Sequence, residues 1–265
     1  MFLRSELSFI LSIISPQEQA ITLFKRNYLS RFDGMVLGVL WVFIMPCLPI
    51  FIYNLLQYIG VFVTAENQVP RAVYLSAGIV VYYAFSESLT GGTNLHILNK
   101  SEILKTGFSK ASLIQYNFLQ VLADLAIRMT CLVIMFQFSE YSISANLILL
   151  PLLAVPGILI GHASGLLLGL LAPVYKDIQN IVQIAAFYLL FASGVFATLP
   201  DSNLFFQVLK LSPIYIAVNQ SRWFLFEMPE FESLQLLGLF GFSIVIFLIS
   251  MVIFSRAEKT VNSYL

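Results

Sequence analysis

The chain has 265 residues, of which 59% are hydrophobic and 11% charged, and its mean hydropathy is +0.88. Soluble domains carry about 25% charged residues, so an ordinary soluble domain is excluded and a single membrane-embedded one, spanning residues 1–265, is expected. Fourteen Lys and Arg balance fourteen Asp and Glu, but the zero net charge identifies no partner, because the charges are segregated along the chain.

The first fifteen residues include Arg4, Glu6 and an apolar run of only residues 7–14. No small-residue cleavage site follows, so a cleaved signal peptide is not expected. Residues 15–33 then read as an amphipathic helix. Ser15 is its N-cap, Pro16 its first residue and Glu18 completes a capping box. Ile21, Phe24, Tyr28 and Phe32 recur at helical spacing, while Lys25, Arg26, Asn27, Ser30 and Arg31 take other faces. Such a helix suits the membrane–water boundary, with rings among acyl chains and cations among anionic membrane lipids. The alternative is a helix packed on a partner.

Apolar runs of about 20 residues mark membrane-spanning helices. Six are expected, at about 36–63, 72–92, 113–138, 147–173, 178–199 and 234–254. With the N-terminus inside, the cytoplasmic segments hold Arg4, Lys25, Arg26, Arg31, Lys100, Lys105, Lys110, Lys176, Arg256 and Lys259. Arg71, Lys210 and Arg222 fall on the other side, and Arg128 within a span. This positive-inside bias of ten against three puts both termini in the cytoplasm.

Along the first span, Gly34 and Gly38 form a small-residue pair at the entrance, and Tyr53, Asn54, Gln57 and Tyr58 cluster towards the outer half. Cys47 lies in this span and Cys131 in the third; both read as packing residues, with no disulfide framework or metal site implied. In the second span Glu87 follows Tyr83 by one turn near the cytoplasmic end, either as a hydrogen-bonded helix-end carboxylate or in a role at the inner mouth. The connection at 93–111 carries three lysines and reads as a solvated loop or as a short helix docked on a cytoplasmic partner. His96 and His162 lack ligand-spaced neighbours.

Asn117, Gln120, Asp124 and Arg128 share one face of the third span. A lone central Asp or Arg costs about 2.5–3.5 kcal/mol on insertion scales. Asp124 and Arg128 are one turn apart, so an ion pair between them is the first expectation, and a polar wall facing a conduit the second. Gly157, Gly161, Gly165 and Gly169 put a side-chain-free stripe on the fourth span, a groove for close helix packing within the subunit. In the fifth, Asn180, Gln183, Phe187 and Phe191 form a stripe that is polar below and aromatic above. Ordinary packing explains such clusters, and so does a sugar, whose C–H faces rest on rings while its hydroxyls meet amides. The segment 200–233 is split by Ser212-Pro213 into halves too short to cross a bilayer of about 30 Å. Proline blocks one continuous helix, so two short outer-face helices are expected, with Trp223 as an interface anchor.

No GxxxxGK[ST] phosphate loop is present, and no nucleophile–base arrangement or soluble catalytic domain is visible. The fold class is therefore an all-α integral membrane protein with six transmembrane helices, an N-terminal interfacial helix and two short outer-face helices. A non-catalytic channel subunit energised by something else fits this pattern.

Four segments carry a family resemblance: FKRNYLSRFDGMVLGVLWVFIMP; YLSAGIVVYYAFSESLTGGTNLHILNKSEILKTGF; PVYKDIQNIV; and LKLSPIYIAVNQSRWFLF. In order and spacing they resemble the permease subunits of type-2 ABC transporters that export polysaccharides (O-antigens, capsules, teichoic acids). Phe108-Ser109 stands where the family often has Phe-Pro, Ser212-Pro213 where it has Asn-Pro, and Lys176 where it has Arg. The resemblance implies a homodimer in a bacterial inner membrane, whose first and fifth spans line a conduit for a lipid-linked polysaccharide. It implies two copies of a separate ATPase subunit, which would bind ATP and Mg and dock through Ile97, Lys100, Glu102 and Lys105. Lys25, Arg26, Arg31, Tyr83 and Glu87 would lie at the inner entrance. Ser212, Pro213 and Arg222 would lie at the outer gate, with Arg222 a candidate for a pyrophosphate headgroup. No cofactor, metal or nucleic acid is expected on this chain. Competing readings are a type-2 exporter of a drug or small lipid, and a membrane-embedded lipid-linked glycosyl transferase; the latter would need clustered catalytic carboxylates or histidines.

Overall fold

The computed structural model describes residues 18–30, 33–38, 40–61, 69–99, 109–139, 141–142, 145–196 and 204–261. In hydrocarbon every backbone N–H and C=O must be satisfied within the protein, so long apolar runs fold as helices. The described chain forms α1 (Glu18–Ser30), α2 (Leu40–Tyr58), α3 (Arg71–Leu98) and α4 (Lys110–Phe138). A 3₁₀ turn (Ala145–Leu149) leads into α5 (Leu150–Leu171), followed by α6 (Asp177–Ala192), α7 (Leu204–Lys210), α8 (Pro213–Leu225) and α9 (Ser233–Val261).

Five helical segments are long and apolar enough to cross a membrane: α2, α3, α4, α5 with its 3₁₀ turn, and α9. The fifth expected span, at 178–199, is a shorter helix. The 16 residues of α6 rise about 24 Å at 1.5 Å per residue, against a hydrocarbon core of about 30 Å. The cause is local. After Ser193 caps the helix, its N–H reaching the Leu189 carbonyl at 2.8 Å, Gly194 turns into the left-handed region with φ +72°. The Arg222 guanidinium from α8 then holds the carbonyls of Gly194 (2.6 Å) and Val195 (2.8 Å), satisfying oxygens that another helical turn would have used.

Other boundaries move as well. The first span begins at Leu40, because Gly34 (φ +80°) and Gly38 (φ +45°) make a turn before it. These two glycines serve the turn between α1 and α2, and Gly34 has open space around it where a packing glycine would meet a neighbouring helix. Helix α3 continues to Leu98, so the start of the expected 93–111 connection is helical; Thr93, Leu95 and His96 are buried there. The Ser15–Pro16 cap, together with Arg31 and Phe32, lies outside the described residues.

Helix α3 is the centre of the bundle, packed by α5, α4, α6, α8 and α2. Its side chains are small or apolar around most of the circumference, with Val73, Ala77, Val80, Ala84 and Ser88 all buried. The α5 glycine stripe lies against it. A Cβ on Gly165 would come to 2.5 Å from the Leu89 carbonyl oxygen, and one on Gly169 to 2.6 Å from that of Gly92. Backbone therefore meets backbone, and α3 contributes Gly92 from its own side of the contact. Gly157, at 3.5 Å from the Phe85 Cβ, has ordinary room. The two histidines are core residues: His162 stacks on Phe118 with centroids 3.7 Å apart, and His96 packs by Phe254.

Helix α1 is tied to α4 at both ends. Gln19 Oε1 accepts from the Ser109 N–H (2.8 Å) and the Ser112 hydroxyl (3.3 Å), and the Tyr28 hydroxyl donates to Asp124. Residues advance in the same sense on both helices, so α1 runs parallel to the first half of α4. Ala20, Leu23 and Tyr28 face the bundle, while Ile21, Lys25 and Arg26 remain exposed.

Candidate functional site

Asp124, Arg128 and Cys131 follow one another at helical spacing on a single face of α4, and together they engage α1, α3 and α2. Asp124 accepts from Tyr28 of α1. The Arg128 guanidinium forms a two-pronged pair with Glu87 of α3, Nη1 to Oε2 at 2.8 Å and Nη2 to Oε1, while its Nε donates to the Pro46 carbonyl of α2 at 3.0 Å. The ring of Tyr83 lies 5.3 Å from the guanidinium carbon. The hydrogen-bonded ion pair of Arg128 is thus interhelical, to Glu87, while the Asp124 charge one turn away on the same helix still acts on it. Two parallel N–H···O bonds match the guanidinium fork better than a single carboxylate one turn away on its own helix. Glu87 is accordingly a bonded, partly exposed carboxylate between α3 and α4.

One turn further along α4, Cys131 is disulfide-bonded to Cys47 of α2, with Cα atoms 6.4 Å apart. This corrects the reading of both cysteines as packing residues. Their separation of 84 residues hid a contact that only helix pairing creates. Asn117 abuts Gly91 of α3, and Gln120 donates to Tyr116 at 2.8 Å, so the polar face of α4 is turned inward.

The second candidate region joins α2 to α6. Tyr53 is nearly buried, its ring meeting that of Phe196 edge-on at 5.0 Å. Phe196 in turn packs on Phe191 at 5.1 Å, and Phe191 on Phe187 at 5.6 Å. The structure therefore connects Tyr53 with Phe187 and Phe191 through Phe196, a residue that the sequence reading passed over as part of the fifth span. Phe187 (53%) and Phe191 (44%) expose much of their surface, and Asn180 and Gln183 are exposed on the same helix. Asn54 donates to Ser76 of α3 at 2.9 Å, Gln57 is partly buried, and Tyr58 stands out at the helix end, 89% exposed. The four α6 residues thus share an exposed ring-and-amide face, Tyr53 lies buried behind it and is joined to it through Phe196, and Tyr58 is apart from it.

At the α8 end, Ser212 caps the helix by accepting from the Tyr215 N–H at 3.2 Å, with Pro213 in the first turn. Arg222 is wholly buried. Besides the Gly194 and Val195 carbonyls it donates to Asn219 Oδ1 at 2.6 Å, and its guanidinium carbon sits 4.1 Å from the Tyr74 ring centroid. This chain encloses it completely, both terminal nitrogens being bonded and Nε buried without a hydrogen-bond partner, so burial removes it as a headgroup contact and makes it the lock joining α8, α3 and the end of α6. Of the residues expected at the ATPase contact, Ile97 is on the last turn of α3; Lys100, Glu102 and Lys105 lie outside the described residues. No group of three or more His, Cys, Asp or Glu able to hold a metal occurs among the described residues.

Comparison with known proteins agrees with this architecture. The family model described as ABC-2 type transporter matches residues 18–226. The chain is also 22% identical, over 249 residues, to the O-antigen export system permease protein RfbA of Myxococcus xanthus; the match covers 92% of this chain and 94% of that protein. With a family match running from α1 to the end of α8, this chain belongs to the ABC-2 type transporter family.

Proposed function

We propose that the chain is the membrane subunit of an ATP-driven exporter that carries a lipid-linked polysaccharide of the O-antigen kind across a bacterial inner membrane. The observation that carries this reading is the exposed face of α6, where Phe187 and Phe191 stand uncovered by the rest of the chain with Asn180 and Gln183 on the same helix, and the ring ladder continues inward through the buried Phe196 and Tyr53. A long glycan must slide, so its path needs many weak and similar contacts. Aromatic faces for C–H groups and amides for hydroxyls supply them without trapping the polymer. The near end-to-end similarity to an O-antigen export permease supports the cargo class. In this reading two copies face each other through α2 and α6, and each copy binds one ATPase subunit, with residues 97–105 and α1 on the cytoplasmic side.

The test is reconstitution. The permease and its ATPase, placed in vesicles with a fluorescent lipid-linked oligosaccharide, should move the glycan to the opposite face only when ATP is supplied. Transport of a lipophilic drug in its place, with the oligosaccharide left behind, would sink the reading.

A further inference from the structure

The two halves of α2 are held in different ways. Near its middle, Pro46 is tied through its carbonyl to Arg128, and the next residue, Cys47, is covalently bonded to Cys131. Beyond Pro49 the helix packs Ile50 and Tyr53 into the core shared with α3, and beside them runs an imperfect polar seam. Asn54 Nδ2 donates to Ser76 Oγ (2.9 Å) and to the Ile50 carbonyl (2.7 Å). Asn54 Oδ1 and both amide atoms of Gln57, one turn on, are buried with no hydrogen-bond partner. Buried polar atoms without partners favour whatever state satisfies them. Between the halves lie two prolines, each removing a helical N–H donor and bending the helix.

We propose that residues 50–58 of α2 pivot at Pro46 and Pro49 away from α3, and that the opened Asn54–Gln57–Ser76 seam binds hydroxyl groups of the exported glycan. This deepens the function proposed above and rests on it. The ligand chemistry follows from the groups present. Two amides and a hydroxyl offer neutral donors and acceptors in alternation, which suits vicinal sugar hydroxyls and neither a phosphate nor an apolar tail. The seam also adjoins the ring ladder, since Tyr53 precedes Asn54 and lies one turn before Gln57 on α2. The clasp at Pro46 and Cys47 keeps the first half of the helix in place while the second half moves.

Two measurements on the complete permease–ATPase complex in vesicles, loaded with a lipid-linked oligosaccharide, test this. In the first, Asn54→Cys and Ser76→Cys are bridged by a short bis-methanethiosulfonate, which reacts with free thiols and leaves the Cys47–Cys131 bond intact. The unbridged pair and each single variant, having lost seam groups, should themselves export below the parent; bridging should lower the pair's remaining export several-fold further, while the same reagent leaves each single variant at its own level. Undiminished export by the bridged pair would overturn the pivot. In the second, Gln57→Leu removes the two orphan atoms at similar volume. Its melting temperature should rise by about 2–4 °C, the shift that one buried polar penalty gives in a chain of this size, while export falls several-fold. A residue that only packs would not couple higher stability to lower export. Gln57→Leu exporting at the parent rate, or melting lower, would overturn the hydroxyl site. The parent complex is assayed alongside: a parent that moves no oligosaccharide overturns the function proposed above and this ligand with it, whereas an active parent isolates the failure to the seam.

Discussion

Arg128 of α4 and Glu87 of α3 form a two-pronged ion pair beneath the ring of Tyr83, with the remaining guanidinium nitrogen, Nε, on the Pro46 carbonyl. Three helices are thereby joined at one side chain that is 1% exposed. Removing one partner of a fully buried pair leaves an uncompensated charge and costs about 3–5 kcal/mol, an upper figure here because the Glu87 side chain is 28% exposed, whereas replacing both with neutral groups is far milder. Glu87→Gln and Arg128→Met should each lower the melting temperature of the purified protein strongly, and the double variant should recover most of the loss. A double variant as unstable as the two losses summed would show that the pair is not the coupling between them.

Arg222 should tolerate even lysine poorly. Its fork spans two carbonyls and an amide oxygen at once, and a lysine ammonium cannot reproduce that planar reach. Each hydrogen bond to a charged group contributes about 1.5–3 kcal/mol. Arg222→Lys is therefore expected to reduce stability and to speed backbone hydrogen exchange at residues 194–196. Parent-like exchange there would deny it the role of closing α6.

Orientation is open to a direct check. With both termini cytoplasmic, single cysteines at Lys105 and Lys176, in a background lacking Cys47 and Cys131, should resist an impermeant thiol reagent outside intact cells. A cysteine at Ser202 should react. Labelling of the first two from outside would reverse the topology.

The chain carries no phosphate loop, so purified alone it should hydrolyse no ATP. Charge reversal at Lys100 and Lys105 should weaken association with the ATPase subunit or uncouple hydrolysis from export. Normal assembly and export by that double variant would move the coupling surface elsewhere.

For the ring ladder, Tyr53→Ala with Phe187→Ala should lower export while the complex still assembles. The control has to come from an uncovered ring. Phe247, which the apolar pattern places towards lipid, packs edge-on against Phe118 at 5.6 Å, so Phe242, 47% exposed, is the better choice. Phe242→Ala is expected to export like the parent. Equal export by the ladder variant would mean that these rings only hold α2 to α6.

What the sequence determined by itself follows from local physics. Hydrophobic run length gave the helices, because a backbone in hydrocarbon has few other solutions. Ser212-Pro213 marked the break between α7 and α8, because proline stops one helix and starts the next. The i, i+4 glycines marked a close-packing face, since spacing alone puts them in line. The tertiary structure decided whatever needed two distant segments. Arg128 selected Glu87 over Asp124, and Cys47 met Cys131, only because α2, α3 and α4 pack side by side. Arg222, on an expected outer-face helix, looked like a cation open to a ligand; burial against Tyr74, Asn219 and the end of α6 made it structural and shortened the fifth span. Spacing along one helix tells which side chains share a face. It cannot tell what lies opposite that face, and in this protein the partner opposite decides whether each polar group holds the bundle together or remains open to a ligand.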